Sequence, residues 1–368
     1  MGPASRSHIR AFRCYPALRS RNRIAIPASS VVHFIPLIRS QLHACTPELS
    51  FQRPLRPCVP FFRTIVTFVF FLVPPLPAQD LAPRAYIITP IHSNAVTLTY
   101  SYFTGSLLLD GASPITGASA KVNVPVLSLF HSFRLFGRTA NFVASLPYGV
   151  GNFRGTVTEA EVHAYRSGLL DSAYRMSVNL RGGPAMDVRD YSKWRQKTLI
   201  GASLRVVAPT GQYDPTKLIN YGANRWGFKP EIGLSRRWGH WVLDAYGAVW
   251  FYTANNEFFS HNQFNPGVTK QTQKPIGAFE GHLSYDVKPR FWASLDGNFW
   301  SGGRTSLNGT ENPSTLQTNS RVGGTVSVPI GKHYSLKFSY NNGAYIRYGG
   351  NFQNISVAWQ YSWLGRPN

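Results

Sequence analysis

Glu280, His282 and Asp286 are separated by two and then four residues, which puts all three on one face of an extended strand. A carboxylate beside an imidazole is the raw material of general acid–base chemistry. Such a site also needs an atom to activate, and the sequence places no nucleophile beside these three. The chain has no Gly-x-Ser-x-Gly elbow, His-Glu-x-x-His pair, Walker A loop or dinucleotide fingerprint. His92, His131, His163, His240, His261 and His333 lack the spacing of a ligand set. The trio therefore reads as a charge cluster, and no catalytic residue, metal site or cofactor is expected.

Stepping outward along the chain, Arg175, Arg181, Arg205, Lys229, Arg290, Arg321 and Lys337 recur among Glu231, Asp244, Glu280, Asp286 and Asp296. These positive residues are dispersed rather than clustered, which argues against a nucleic-acid partner. What they do depends on the elements that carry them. Ile355, Val357, Trp359, Tyr361 and Trp363 alternate with Asn354, Ser356, Ala358, Gln360 and Ser362. Tyr334, Leu336, Phe338 and Tyr340 alternate with Ser335, Lys337, Ser339 and Asn341. The same period of two runs through 277–287 and 290–299, so these are strands and not helices. One face is apolar and aromatic, and the other holds nearly every charge. That division suits a wall between hydrocarbon and water.

Twelve such strands are expected, at 94–104, 121–136, 138–149, 167–181, 197–208, 224–237, 240–254, 273–287, 289–302, 318–330, 332–342 and 350–364. Several are ten residues or longer, the length of a tilted bilayer crossing. The alternation changes phase near Leu127, which predicts a bulge there. Pro125 and Pro329 sit inside strands and weaken the ladder. Gly137-Arg138, Gly239-His240, Lys288-Pro289 and Gly331-Lys332 mark tight turns, and longer connections alternate with them. The connection 182–196 is too long for its place and is expected to fold onto the barrel end. Trp238, Trp241, Tyr334, Tyr361 and Trp363 gather at strand ends, as an interfacial girdle would. The fold class is all-β: a transmembrane antiparallel up-and-down barrel of about 12 strands, both termini periplasmic, in the bacterial outer membrane.

Composition agrees. Charged residues make up 15% of the chain and aromatics 14%, a balance unlike that of most soluble domains. No run of 18 apolar residues occurs, which argues against a helical membrane protein. Residues 1–78 differ from the rest. They hold ten arginines, no lysine and one acid, Glu48, a net +9 that leaves +13 downstream. They also hold all three cysteines (Cys14, Cys45, Cys58), so no disulfide can staple the remainder. Within them, residues 59–78 read as a signal peptide: Arg63, an apolar core Thr64–Val73, and Ala78 before the cleavage point, with Leu76 an imperfect −3 residue. A buried core segment is the competing reading. Residues 1–58 read as a spurious extension ahead of a later start near Val59, or as a transit peptide. Residues 79–368 are the expected barrel.

Ala208-Pro-Thr-Gly-Gln-Tyr-Asp-Pro-Thr-Lys-Leu-Ile-Asn220 is followed by Gly222-Ala-Asn-Arg-Trp-Gly-Phe-Lys-Pro-Glu-Ile-Gly-Leu-Ser235, then by Phe251-Tyr-Thr-Ala-Asn-Asn256 and Trp300-Ser-Gly-Gly-Arg-Thr305. This pattern resembles the family described as the Putative MetA-pathway of phenol degradation, with the best motifs in 208–305. The resemblance implies an outer-membrane barrel with a role in uptake of aromatic or other hydrophobic compounds. The motif residues Pro209, Gly211, Tyr213, Asn220, Gly222, Asn224, Arg225 and Trp226 are read as an external loop entering a strand. Pro209, Gly211 and Gly222 shape its turns, and Asn220, Asn224 and Arg225 are candidates to bond it into the lumen. Five residues follow Trp363, a departure from barrels that end on an aromatic.

The candidate lumen-lining residues are Arg205, Lys229, Glu231, Asp244, Glu280, Asp286, Arg290, Asp296, Arg321 and Lys337. Two readings stay open for them: mutually paired charges, or a pore favouring anions. The leading function is passive passage of small molecules, with a structural or surface-binding barrel and a barrel enzyme as the other classes. The expected partners are outer-membrane lipid and lipopolysaccharide, a small-molecule solute and the barrel-insertion machinery. The processing reading has a direct test. Intact-mass analysis of outer-membrane fractions should find an N-terminus near Gln79, and peptides from 1–58 in that fraction would reject it.

Overall fold

The computed structural model describes residues 81–108, 115–157, 160–217, 219–258 and 267–365. The expectations for residues 1–78 lie outside them. The strands are β1 (Ser93–Leu108), β2 (Ile115–Leu135), β3 (Arg138–Val157), β4 (Ala160–Leu169), β5 (Ser172–Arg181), β6 (Thr198–Ala208), β7 (Gly227–Trp238) and β8 (Trp241–Tyr252). They continue as β9 (Gln271–Gln273), β10 (Ile276–Lys288), β11 (Phe291–Gly302), β12 (Thr305–Leu307), β13 (Thr310–Asn312), β14 (Gln317–Ile330), β15 (Tyr334–Ile346) and β16 (Gly349–Leu364). One short helix, α1 (Val188–Lys193), is capped by the Asp187 carboxylate.

Each large strand pairs antiparallel with its neighbours, and β1 closes the ring against β16 from Ser93↔Leu364 to Leu108↔Gly349. The result is a closed antiparallel barrel of twelve staves, with β4 and β5 forming one interrupted stave. All twelve expected strands are present. Five run further toward the loop end than expected: β1 to Leu108, β2 from Ile115, β3 to Val157, β4 from Ala160 and β15 to Ile346. Much of the expected loop regions 105–120 and 150–166 is therefore ladder. The small β9, β12 and β13 form a separate three-stranded sheet within two of the long connections.

The expected bulge near Leu127 is absent. The β1–β2 ladder runs in unbroken register through Leu98↔Leu127, and the shift lies instead between Thr116 and Ser119, around Gly117 at φ +59°. The phase change in the sequence has another cause. Val122, Val124, Val126 and Ser128 all face inward, while Lys121, Asn123, Leu127 and Leu129 face outward. Low on the strand the outside is apolar. High on the strand the inside is, because an apolar cluster of Ala120, Val122, Val124 and Phe153 fills that part of the lumen.

The alternation elsewhere follows the ladder. Ile232 is 65% exposed and Leu295 66%, while Glu231 and Asp296, their neighbours on the same staves, are buried. So broad an exposed apolar band is incompatible with water and matches lipid. Tight turns gather at one end, as at Phe136-Gly137, where both residues take positive φ. At the other end the expected longer connection 343–349 is instead a two-residue turn, Arg347-Tyr348, because β15 and β16 extend into it. At the Phe136-Gly137 end Tyr334 stacks on Trp359 at 5.6 Å and Trp241 meets Tyr285 edge-on at 4.8 Å, making the expected girdle. The long 182–196 connection does fold onto this end. Arg138 bridges Pro184, and Tyr191 and Trp194 pack against Ile88, Met186 and Leu199.

This register makes one prediction. Phe338 faces out at 45% exposure, and Ser339 faces in, its hydroxyl 3.2 Å from Thr325 Oγ1. Phe338→Arg should lower the unfolding free energy of the vesicle-refolded protein by about 2–4 kcal/mol. Ser339→Arg, opening on the wet lumen, should cost far less, and equal losses in a urea titration would reject the register.

Candidate functional site: a half-filled lumen

Inward positions on adjacent staves come into register as rows. Arg175, Arg205 and Lys229 lie directly opposite one another on β5, β6 and β7. Three neighbouring cations repel unless carboxylates answer them. Glu231 answers two, accepting from Arg175 Nη2 at 3.2 Å while its other oxygen is 2.9 Å from Lys229 Nζ. Lys229 also donates to Glu280 Oε1 at 2.7 Å. The second Glu280 oxygen lies 3.8 Å from His282 Nε2, and His282 Nδ1 bonds Asp296 Oδ1 at 2.9 Å. Thr325 donates to the far Asp296 oxygen at 2.8 Å. One chain of charges thus crosses the lumen wall from β5 to β14. Removing one partner of a buried pair strands the other, which makes such a chain stiff.

A second cluster involves the segment just before β1. Residues 81–92 run inside the barrel as a strap. Arg84 pairs with Asp286 at 2.7 Å and lies 4.4 Å from the centre of the Trp292 ring. The Arg84 amide donates to Asp244 at 3.2 Å, and the Ala85 amide to the Tyr246 hydroxyl at 3.0 Å. Tyr86 donates to Glu231 at 2.9 Å, and its ring meets Tyr246 at 5.2 Å. A Cβ at Gly201 or Gly233 would stand 2.2 or 2.1 Å from the Tyr86 ring, so the glycines carve its seat. Arg237 adds a second bond to Asp286 at 2.5 Å.

The opposite side of the lumen is open. A cavity of about 1350 Å³ runs from the strap to the small inward residues of β3, β14, β15 and β16, among them Asn141, Ser145, Ser327, Ser335 and Gln360. A second space of about 180 Å³ lies between Trp250 and Trp300, with Lys229 and Glu280 on its wall. Arg205 lines both.

The expected lumen residues fall into three groups. Lys229, Glu231, Glu280 and Asp296 join the charge chain, while Asp244 and Asp286 hold the strap. Arg205 and Lys337 line the large cavity, and Arg321, only 1% exposed, lies 5.4 Å from the centre of the Trp300 ring. Arg290 stands apart. It occupies the β10–β11 turn at φ +66° and donates to the carbonyls of Gly331, Lys332 and Tyr334, which ties two turns together. It was expected on the strand, but the ladder begins at Phe291; from the turn Arg290 still lines the turn end of the large cavity.

The loop motif is a stapled structure. Asp171 takes the amides of Gly211 and Ala223 at 2.9 and 2.8 Å. Gly211 and Gly222 pass so closely that a Cβ on either would sit 2.7 Å from the other's backbone. Pro209 leads from β6 into this crossing. Asn220 accepts from the Asp214 amide at 2.9 Å, Asn224 donates to Asn255 at 3.1 Å, and Arg225 donates to Gln273 at 2.6 Å. Tyr213 donates to the Glu257 carbonyl, and the Trp226 amide to Thr253. Lys217 and the Thr216 hydroxyl and amide hold the Asp214 carboxyl below the usual carboxylate range. Ile219 and Tyr221 pack into the apolar cluster of β2 and β3. These contacts shape a loop and brace the barrel mouth.

The sequence reading missed the strap. Its signal was present in Gly201 and Gly233, small residues at inward positions of adjacent staves. It also missed the His282–Asp296 pair, which the Lys288-Pro289 turn sets directly opposite each other.

A family model described as Putative MetA-pathway of phenol degradation matches residues 95–359. The chain belongs to this family. Among solved structures, the COG4313 outer membrane channel from Pseudomonas putida F1 is similar at a TM-score of 0.62 and 16% identity, covering 77% of this chain and 100% of that one. That likeness establishes the barrel fold. Weaker overlaps, with TM-scores of 0.43, are found with the beta domain of the Bordetella autotransporter BrkA (12% identity, 74% and 100% covered) and the transport unit of the Escherichia coli autotransporter AIDA-I (14%, 78% and 93%). No curated protein sequence matches the chain.

The strap geometry predicts a measurable effect. Tyr86→Ala removes the ring from its glycine seat and two hydrogen bonds, to Ser203 and Glu231. Single-channel conductance of the refolded variant should rise above that of the parent. Unchanged conductance would show that ions bypass the strap.

Proposed function

We propose that this chain is a bacterial outer-membrane channel for passive passage of small molecules, aromatic or hydrophobic compounds among them. In this reading the turn end and both chain ends face the periplasm and the long loops face outward. The observation that carries it is Arg205, the one side chain common to the open cavity and the space between Trp250 and Trp300. A solute moving from one to the other passes a row of cations flanked by indoles. Indole faces favour flat apolar rings and cations alike. The family's description, with its reference to phenol degradation, supports an aromatic cargo. The insertion machinery is the remaining expected partner, and β16 with its outward Trp359, Tyr361 and Trp363 is the segment it would read.

A non-enzymatic role fits the chemistry of His282. Its Nδ1 is spent on Asp296, and among the described residues no hydrogen-bond partner, hydroxyl or thiol reaches Nε2. The imidazole is a link in the charge chain between Glu280 and Asp296. A structural barrel is the second reading, favoured by the strap and charge chain that fill one side of the lumen.

Among the described residues of the lumen, Arg84, Arg175, Arg205, Lys229, Arg237, Arg321 and Lys337 stand against Glu231, Asp244, Glu280, Asp286 and Asp296, and Arg195, Lys288 and Arg290 on the cavity wall add to the positive excess. That excess lowers the barrier for anions and raises it for cations. Reversal potentials in a salt gradient should show anion preference, strongest at low salt and fading as the Debye length shrinks to about 8 Å. Arg205→Ser with Lys337→Ser should weaken the preference. Cation selectivity, or no conductance at all, would overturn the channel reading in this form.

A further inference from the structure

At the loop end Lys217 pairs with Asp214, and Lys274 and Arg304 both pair with Glu311. Lys121 on β2 and Arg154 on β3 stand on the outer wall below these loops: both are exposed, and neither has an ion pair or hydrogen bond among the described residues. Their place in the ladder brings them together. Lys121 is opposite Asn152, and Arg154 is the next outward residue on that strand, a diagonal neighbour at roughly 7–8 Å. Arg154 in turn faces His163 on β4, and Asn152 faces Tyr165, which is 59% exposed. Two cations, an amide and a phenol thus share one outer patch. Among the described residues its carboxylate is Glu161, which lies 3.3 Å from His163.

The height of the patch is set by the same register. The outward residues of β3 are Phe142, Ala144, Leu146, Tyr148 and Val150, and then Asn152 and Arg154. On β2 the outward apolar residues end at Pro125, and Asn123 and Lys121 follow. Lys121 and Arg154 each stand four residues beyond the last apolar outward side chain, roughly 13 Å along the strand and about 10 Å in height once tilt is counted. Their long side chains can reach back down toward the rim of the apolar band. The outer rim of the hydrocarbon layer is where the phosphates of a glycolipid sit.

We propose that this patch binds the phosphate groups of lipopolysaccharide in the outer leaflet. The proposal rests on the outer-membrane placement above and adds residues and a ligand to it. Lys121 and Arg154 supply the charge, Arg154 with a fork that suits phosphate geometry. Asn152 and Tyr165 supply neutral donors beside them. The acyl chains lie along Leu127, Leu129, Leu146 and Tyr148 directly below.

The test uses the full chain in detergent, titrated with bisphosphorylated lipid A and followed by native mass spectrometry. Each cation near an anionic lipid contributes roughly a five-fold factor, so Lys121→Ser with Arg154→Ser should weaken binding by about 25-fold. The charge-preserving pair Lys121→Arg with Arg154→Lys should bind within about two-fold of the parent. Monophosphorylated lipid A should bind the parent less tightly. Equal affinity of the parent and the serine variant would overturn the proposal, as would competition by millimolar inorganic phosphate as effective as lipid A. Conductance is read in parallel. The serine variant should conduct like the parent, and a parent that does not conduct while the lipid preference holds would reject the channel reading alone.

Discussion

Every amide and carbonyl at bilayer depth must find its partner within this chain, because hydrocarbon offers none. The β1–β16 ladder is where that demand is met last. Without it, two strand edges would stand open in lipid. With it, the ring closes, and closure fixes everything inside. The direction of each side chain follows from its parity along the stave. The rows of opposed residues follow from register. The charge chain from Arg175 to Thr325 exists because five staves present their inward residues at matching heights. It is a property of the closed sheet and belongs to no single strand.

The lumen shows how that constraint is used. One side is dense with charge and crossed by the strap, and the other is lined by small polar residues. Carboxylates here have several donors each: Glu231 meets Arg175, Lys229 and Tyr86, and Asp286 meets Arg84 and Arg237. Pairing on this scale spends most of the fixed charge locally. It also immobilises the strap, whose seat at Gly201 and Gly233 has no room for any larger side chain. The apolar cluster near the mouth, with Ile219 and Tyr221 of the family motif, braces the opposite end.

The strands were legible because a lipid-facing barrel writes itself into sequence as a strict period of two. Leu336, Phe338 and Val357 had one face to occupy, and nothing else competed for it. The failures have physical causes. At Leu127 the apolar face changes sides because the surroundings change from lipid outside to a packed cluster inside, and a bulge gives the same signature. The upper parts of β2 and β3 looked like loop because a strand above the bilayer loses its apolar face. Arg290 was placed on a strand one residue too early. Asp244, Glu280 and Asp296 were legible as lumen residues, since charge at mid-strand has nowhere else to go. Their partners were not, because pairing needs the register of three or four staves at once. The strap was invisible: residues 81–92 carry no period, and what fixes them is distant in sequence.

The strap and the closing seam are one continuous piece of chain. His92 ends the strap, and its carbonyl receives the Gly365 amide at 2.8 Å, one residue beyond β16. The first and last parts of the barrel therefore meet at the strap's root. The strap's far contacts, Asp244 and Tyr246, lie on β8, six staves from β1 either way round the ring. The strap is therefore a tether across the full width of the lumen, tied at one end to the closing seam and at the other to the wall facing it.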